Sequence, residues 1–438
     1  MQLAKIKFFF LVASFLFISG CVFGPVKELK YQIEDSMDDP ESFMDNPKEL
    51  TDIEESIEVQ INSKFSLGSK SRRSLYLSNQ DTKIYYPSIN GEIYEIDLSL
   101  NEDKLIYKHS NDISAGLSTS KNNIYFVDKE GYFISFSITG SLQWKAYVGE
   151  VYSPPLILDD SVVIKTSNNK FIALNHIDGS ELWTYQAMSS PLSIRSWEEL
   201  NYSDNTIYSG VSSGKLIAIN SKNGSLIWEV TFSQPRGNSE LERSNDVTSK
   251  PILDANILYV VASTGNISAL SSLDGSILWS RPLSSFYGLA TDSDHIYVTH
   301  NSGVIYSLLK NTNKILWRND ELTGRDVSKG FVFKEYIIFS DYQGYLHFIN
   351  KASGKFVGRL KIGDALLLNP ININNEYLIY TSIEGILYKL SVTNLNKNNS
   401  EVLNNSNFND VNNDLKKNSI ENGKQDEDSL IDSLIFWD

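Results

Sequence analysis

Cysteine is nearly absent from this chain of 438 residues: Cys21 stands alone. No disulfide framework is therefore possible. Histidine is almost as scarce. The five that occur, His109, His176, His295, His300 and His347, show no H-E-x-x-H or related metal spacing. Long apolar runs are limited to Phe8–Ile18, which fits the core of a secretion signal and is short for a membrane span. Positive charge is also deficient, with a formal net charge of −15. Two segments carry most of that excess. Residues 26–55 hold eleven acids against three lysines, and residues 393–438 hold nine against four. The central region is close to neutral, so the acidity belongs to tethers and argues against a nucleic-acid partner. Finally, no amphipathic stretch of helical length occurs in the centre of the chain.

What is present is a repeat. In Gly265–Trp279, Ile267, Ala269 and Leu273 alternate with small polar residues, Asp274-Gly275 supplies turn chemistry, and the chain returns through Ile277 to Trp279. This spacing predicts a β-hairpin with a tight type I′ turn. The same pattern starts at Gly91, Gly131, Lys170, Gly214, Gly265, Gly303, Gly344 and Gly385, at intervals of 40, 39, 44, 51, 38, 41 and 41 residues. Terminal aromatics fall at Trp144, Trp183, Trp228, Trp279, Trp317 and Phe356. At repeat spacing these rings read as outer-blade packing rather than as a cofactor stack. An apolar run precedes each repeat and supplies inner strands. The period is that of a four-stranded propeller blade, and eight copies predict an all-β, eight-bladed β-propeller over residues 56–392. The last copy, Gly385–Leu390, lacks its returning strand. The alternating segment Ile57–Leu67, which ends at Gly68, is expected to complete that blade from the N-terminal side.

Outside the ring, residues 1–20 read as a signal segment, 21–55 as an acidic tether, and 393–438 as an Asn-rich acidic tail whose composition favours disorder. The tail closes on Leu430–Trp437, either a short docking motif or a terminus without a partner. Gly210-Val-Ser-Ser-Gly214 matches the G-x-S-x-G pattern. That motif needs a strand-to-helix turn, and here it falls between two blade strands, so no catalytic residue is assigned. No metal or cofactor site is assigned either.

Several of these stretches resemble known families. Ile18-Ser-Gly-Cys21 resembles a bacterial lipobox, which implies lipidation of Cys21 and, with Val22 following, the periplasmic leaflet of the outer membrane. The repeat resembles that of quinoprotein dehydrogenases. This implies quinone and calcium chemistry, although those enzymes often use a vicinal cysteine pair that a single cysteine cannot form.

Lipobox, tether and eight blades together resemble the BamB family of lipoproteins, subunits of the machine that inserts β-barrels into the outer membrane. Three further stretches carry the likeness: Pro191–Arg195, Glu240–Pro251 and Asp341–Asn350. The resemblance implies a non-enzymatic scaffold that binds the periplasmic domains of the barrel-forming subunit, BamA. It also implies contact with associated lipoproteins and with unfolded outer-membrane proteins. On that reading Leu192 and Ile194 are apolar anchors, Arg195 is a bidentate or ion-pairing contact, and Asp246 is an acidic contact nearby. Extra loop length falls in those two repeats, as the 44- and 51-residue intervals record, and loops on a rigid scaffold concentrate binding residues. The family tends to carry a second acid two residues after Asp246, where this chain has Thr248. Three alternatives stay open at this point. Arg195 and Asp246 could simply pin the long loops together, the chain could be a quinoprotein-type oxidoreductase, or it could be a propeller adaptor for an unrelated periplasmic partner.

Overall fold

A computed structural model of the chain describes residues 47–68, 70–71, 75–80, 82–97, 99, 102–189, 197, 199–234, 245–363 and 367–395. Its strands form eight antiparallel four-stranded sheets. Seven sheets use four consecutive strands each; blade 5, for example, is Ile252–Asp254, Ile257–Val261, Asn266–Ser271 and Ile277–Pro282. The eight sheets are the blades of an eight-bladed β-propeller. First strands line a central cavity of about 810 Å³, whose wall includes Ser78, Thr119, Ile157, Phe331 and Ile371. Second and third strands are buried on both faces, as Leu258, Tyr259, Val260, Ile267, Ala269 and Leu270 illustrate in blade 5. Apolar clusters therefore run between neighbouring blades, with Tyr259 and Ala269 packing against Ile296 and Val298 of blade 6.

The hairpin expected at Gly265–Trp279 is present, with Ala269 opposite Trp279. Its turn differs from expectation. Only Gly275 has positive φ (+72°); its N–H bonds the Ser271 carbonyl, while the Ser271 N–H bonds the Ser276 carbonyl. The loop therefore spans Ser272–Gly275, and the ladder shifts register between Ala269 and Leu270. A four-residue loop with a left-handed glycine is a common alternative to the two-residue hairpin. Leu273 consequently sits on the loop at 74% exposure, outside the strand alternation.

The tryptophans tie blade to blade. Trp144, Trp183, Trp228, Trp279 and Trp317 each donate Nε1–H to a backbone carbonyl of the next blade, those of His176, Ser221, Ser272, Lys310 and Lys351. Four of these rings lie over the turn glycine of the following blade, Gly179, Gly224, Gly275 or Gly354. Phe356 does not continue the series. In blade 7 the residue at the tryptophan's register position is Gly358, paired with the bulky Phe348, and Phe356 pairs one step away with Ile349. Ile57 of blade 8 fills the space above Gly358.

Blade 8 closes the ring. Ile57–Ser66 pairs antiparallel with Ile386–Asn394, outside Tyr377–Ser382 and Leu367–Ile373. Ordered contact with the ring also begins earlier than residue 56. Leu50 and Ile53 pack on the cluster between blades 6 and 7. The N–H groups of Lys48 and Ser56 bond the carbonyls of Thr323 and Val357. Residues 47–55, assigned by composition to a tether, are thus a strap lying on the propeller.

Candidate partner-binding site

The two long inter-blade connections flank blade 4 (Asn201–Ser203, Thr206–Val211, Lys215–Asn220, Leu226–Thr231). One runs from Gln186 to Asn201 and the other from Thr231 to Ile252. Cross-links join their described parts. Lys250 Nζ pairs with Glu199 Oε2 at 2.6 Å, and Asn201 Nδ2 donates to the Pro251 carbonyl at 3.0 Å. The Trp197 ring reaches further, meeting Phe286 of the blade 5 to blade 6 connection edge-on with centroids 5.8 Å apart.

Asp246 is the one expected contact residue whose surroundings are described. It is only 3% exposed. Its Oδ1 accepts the Ser213 N–H at 3.0 Å, and its carbonyl accepts the Ser263 N–H. Val247 lies against Gly210, where a Cβ would come within 2.1 Å of the Val247 side chain. Asp246 therefore braces its loop across the turns of blades 4 and 5. Thr248 is also buried, and donates Oγ1–H to the Phe286 carbonyl at 2.8 Å. Leu192, Ile194, Arg195 and Cys21 lie outside the described residues.

A small cleft adjoins Asp246, lined by Tyr152, Lys165, Asn169 and Ser212. Lys165 was not singled out in the sequence, because a lysine ending a strand looks ordinary there. It is buried, and its Nζ donates to the Gly210 carbonyl at 2.6 Å, linking blade 3 to blade 4. Burial pushes its ammonium down to about 8, against an opposing pull from the Asp246 charge. The cleft is thus a place where one buried cation faces one buried anion. Ser212, the central serine of the G-x-S-x-G match, accepts a hydrogen bond from Asn169 Nδ2 at 2.8 Å on a strand-to-strand turn. That is not the setting of a nucleophile. Among the described residues no group of three His, Cys, Asp or Glu side chains could hold a metal ion.

A second polar cluster also escaped the sequence reading. His347, an ordinary alternating strand position by pattern, is fully buried with Asp341 between Arg325 and Arg359. The shared signal is an aspartate at or just after the end of a second strand: Asp128 in blade 2 likewise bonds a histidine, His109, at 2.9 Å.

The family model for the outer membrane protein assembly factor BamB matches residues 90–319. The chain belongs to this family. It is 30% identical to the BamB of Burkholderia pseudomallei over 343 residues, covering 78% of this chain and 90% of that protein. Similarity to the Shewanella oneidensis BamB is also 30%, over 65% of this chain and 71% of the relative. Among solved structures, the crystal structure of Moraxella catarrhalis BamB superposes with a TM-score of 0.69 at 20% identity, over 76% of this chain and all of that one. The quinohemoprotein alcohol dehydrogenase of Comamonas testosteroni superposes at 0.62 with 10% identity, over 76% of each chain. Likeness at that identity concerns the propeller alone.

Proposed function

We propose that this chain is a non-catalytic scaffold of outer-membrane protein assembly. It docks periplasmic domains of the barrel-forming subunit on the face built by the two loops flanking blade 4. The supporting observation is the bracing of those loops: Lys250–Glu199, Asn201–Pro251 and Asp246–Ser213 hold their bases on a rigid ring. Leu192 and Ile194 act as apolar anchors and Arg195 as the charged contact, a composition typical of binding hot spots. Asp246 contributes by fixing the second loop and by its charge in the cleft beside Lys165. Cys21 carries the lipid that holds the protein on the periplasmic face of the outer membrane. Substrate strands meet the outer blade edges, where Leu182, Ile227, Leu278 and Leu316 stand exposed just before each tryptophan.

The test is affinity capture from membranes with the full chain and with Arg195→Glu. The expected result is that the full chain retains a large β-barrel protein with several periplasmic domains, and that charge reversal releases it. Equal capture by both forms would keep the scaffold role and move the site away from Arg195. Failure of the intact chain to capture any barrel protein would overturn the reading.

A further inference from the structure

The stretch Asp341–Asn350 has no part in the partner-binding reading, yet it builds the buried cluster between blade 7 and the strap. Asp341 Oδ2 accepts Arg325 Nε–H at 2.8 Å and lies 3.0 Å from His347 Nε2. Its Oδ1 accepts the N–H groups of Gln343 and Tyr345. With Nε2–H donating to a carboxylate, Nδ1 of a neutral His347 is an acceptor. Arg359 is its donor, through Nε–H at 3.2 Å.

The same two arginines reach outward to the strap. Arg359 Nη1 donates to the Thr51 carbonyl at 2.7 Å, and Arg325 Nη1 to the Lys48 carbonyl at 3.1 Å. Arg359 Nη2 is buried with no acceptor among the described residues. The guanidinium is therefore held by two acceptors, one on the strap and one on the His347 ring.

We propose that His347 is a proton-sensitive latch for the strap of residues 47–55: a proton taken up at Nδ1 expels Arg359 and frees Thr51. The physical reason is a donor meeting a donor. Protonated imidazole carries N–H on both nitrogens, so Nδ1–H would point at Arg359 Nε–H and two cations would share a dry site. Among the described residues Arg359 has no second buried acceptor to retreat to, and its outward path carries the Thr51 contact with it.

The charged neighbours bear on the proton in opposite senses. Asp341 favours it, whereas burial, Arg359 and Arg325 oppose it; Glu321 acts on Arg359, whose charge it stabilises. Tyr345 and Phe356 close the remaining sides of the ring. Farther out, Lys48 and Arg318 share Asp320, and Thr51 Oγ1 donates to Glu321. Burial dominates and holds the imidazole below its ordinary value of 6.5. The latch is therefore shut at neutral pH and opens on acidification.

Hydrogen exchange on the full chain tests this, read as protection factors corrected for the intrinsic pH effect. The reporters are the Lys48 and Ser56 amides, which bond Thr323 and Val357. As pH falls from about 8 to the lowest value at which the Ala262 amide inside blade 5 stays protected, their protection should fall at least about tenfold. His347→Gln, which cannot gain charge, should flatten the response. Arg359→Gln should leave the strap open at both pH values. Unchanged strap protection in the parent chain, a pH response that survives in His347→Gln, or a strap still closed in Arg359→Gln would each overturn the latch.

Discussion

Trp183 closes blade 3 onto blade 4 by two contacts at once. Its Nε1 donates to the Ser221 carbonyl at 2.8 Å, and its ring lies where a Cβ on Gly224 would come within 2.5 Å. The turn glycine thus has two duties, a left-handed φ of +71° and room for a neighbour's indole. Gly224→Ala should cost about 1–3 kcal/mol, from overpacking and the αL penalty together. Trp183→Ala should cost about 3–5 kcal/mol by emptying the joint. Denaturant unfolding measures both. The pair is coupled, so the double variant should lose less than the two single losses added; strict additivity would mean that the ring and the glycine act separately.

Ring closure rests on a strand far away in sequence. Ile57–Ser66 covers the outer edge of Ile386–Asn394, and Ile57 also packs over Gly358 of blade 7. Removing residues 56–68 should lower the melting temperature and leave a bare edge strand that self-associates. Adding a synthetic peptide of residues 56–68 should restore part of the loss. An unchanged melting temperature would mean that the ring closes without this strand.

The propeller was legible because its signals are local and repeated: period-two alternation, turn glycine, terminal tryptophan. The closing strand was legible as a missing piece. What the pattern could not carry was anything decided between segments distant in sequence. Asp246 looks like a surface acid in its own loop, and only the turns of blades 4 and 5 fold over it. His347 has a strand residue's spacing, and its partners Arg325, Asp341 and Arg359 come together only when the strands pair. Leu273 misled because it falls in phase with the strand while the loop begins one residue earlier. Phe356 misled because it falls two residues after the turn glycine Gly354, whereas Trp279 stands four after Gly275, and in blade 7 that fourth position is Gly358.

Lys165 makes stability depend on alkaline pH. Burial lowers its ammonium from 10.5 to about 8, so the unfolded chain holds the proton more tightly between those values. Stability should therefore rise as pH increases from about 8 towards 10.5, and the contribution is lost again as pH falls back through about 8. The full swing is roughly 3 kcal/mol. Lys165→Met should abolish this slope while leaving the Gly210 carbonyl without its donor. Denaturation of both proteins from about pH 7 to about pH 10 gives the difference directly. A difference that stays constant over that range would place the lysine's proton in water.

Thr248 stands where the resemblance of the second loop implies an acid, and its setting argues against placing one there. The side chain is 1% exposed and donates to the Phe286 carbonyl. An aspartate there would set a carboxylate against a carbonyl oxygen, two acceptors with no proton between them unless the acid stays neutral. Thr248→Asp should therefore destabilise the propeller by about 3 kcal/mol or more at neutral pH. The loss should shrink on acidification, because protonation turns the group into a donor. Thr248→Val removes the same hydrogen bond without adding charge, and should cost about 1 kcal/mol at every pH. Equal losses for the two variants, or a loss for Thr248→Asp that ignores pH, would mean that the position opens to solvent and could present an acid to a partner.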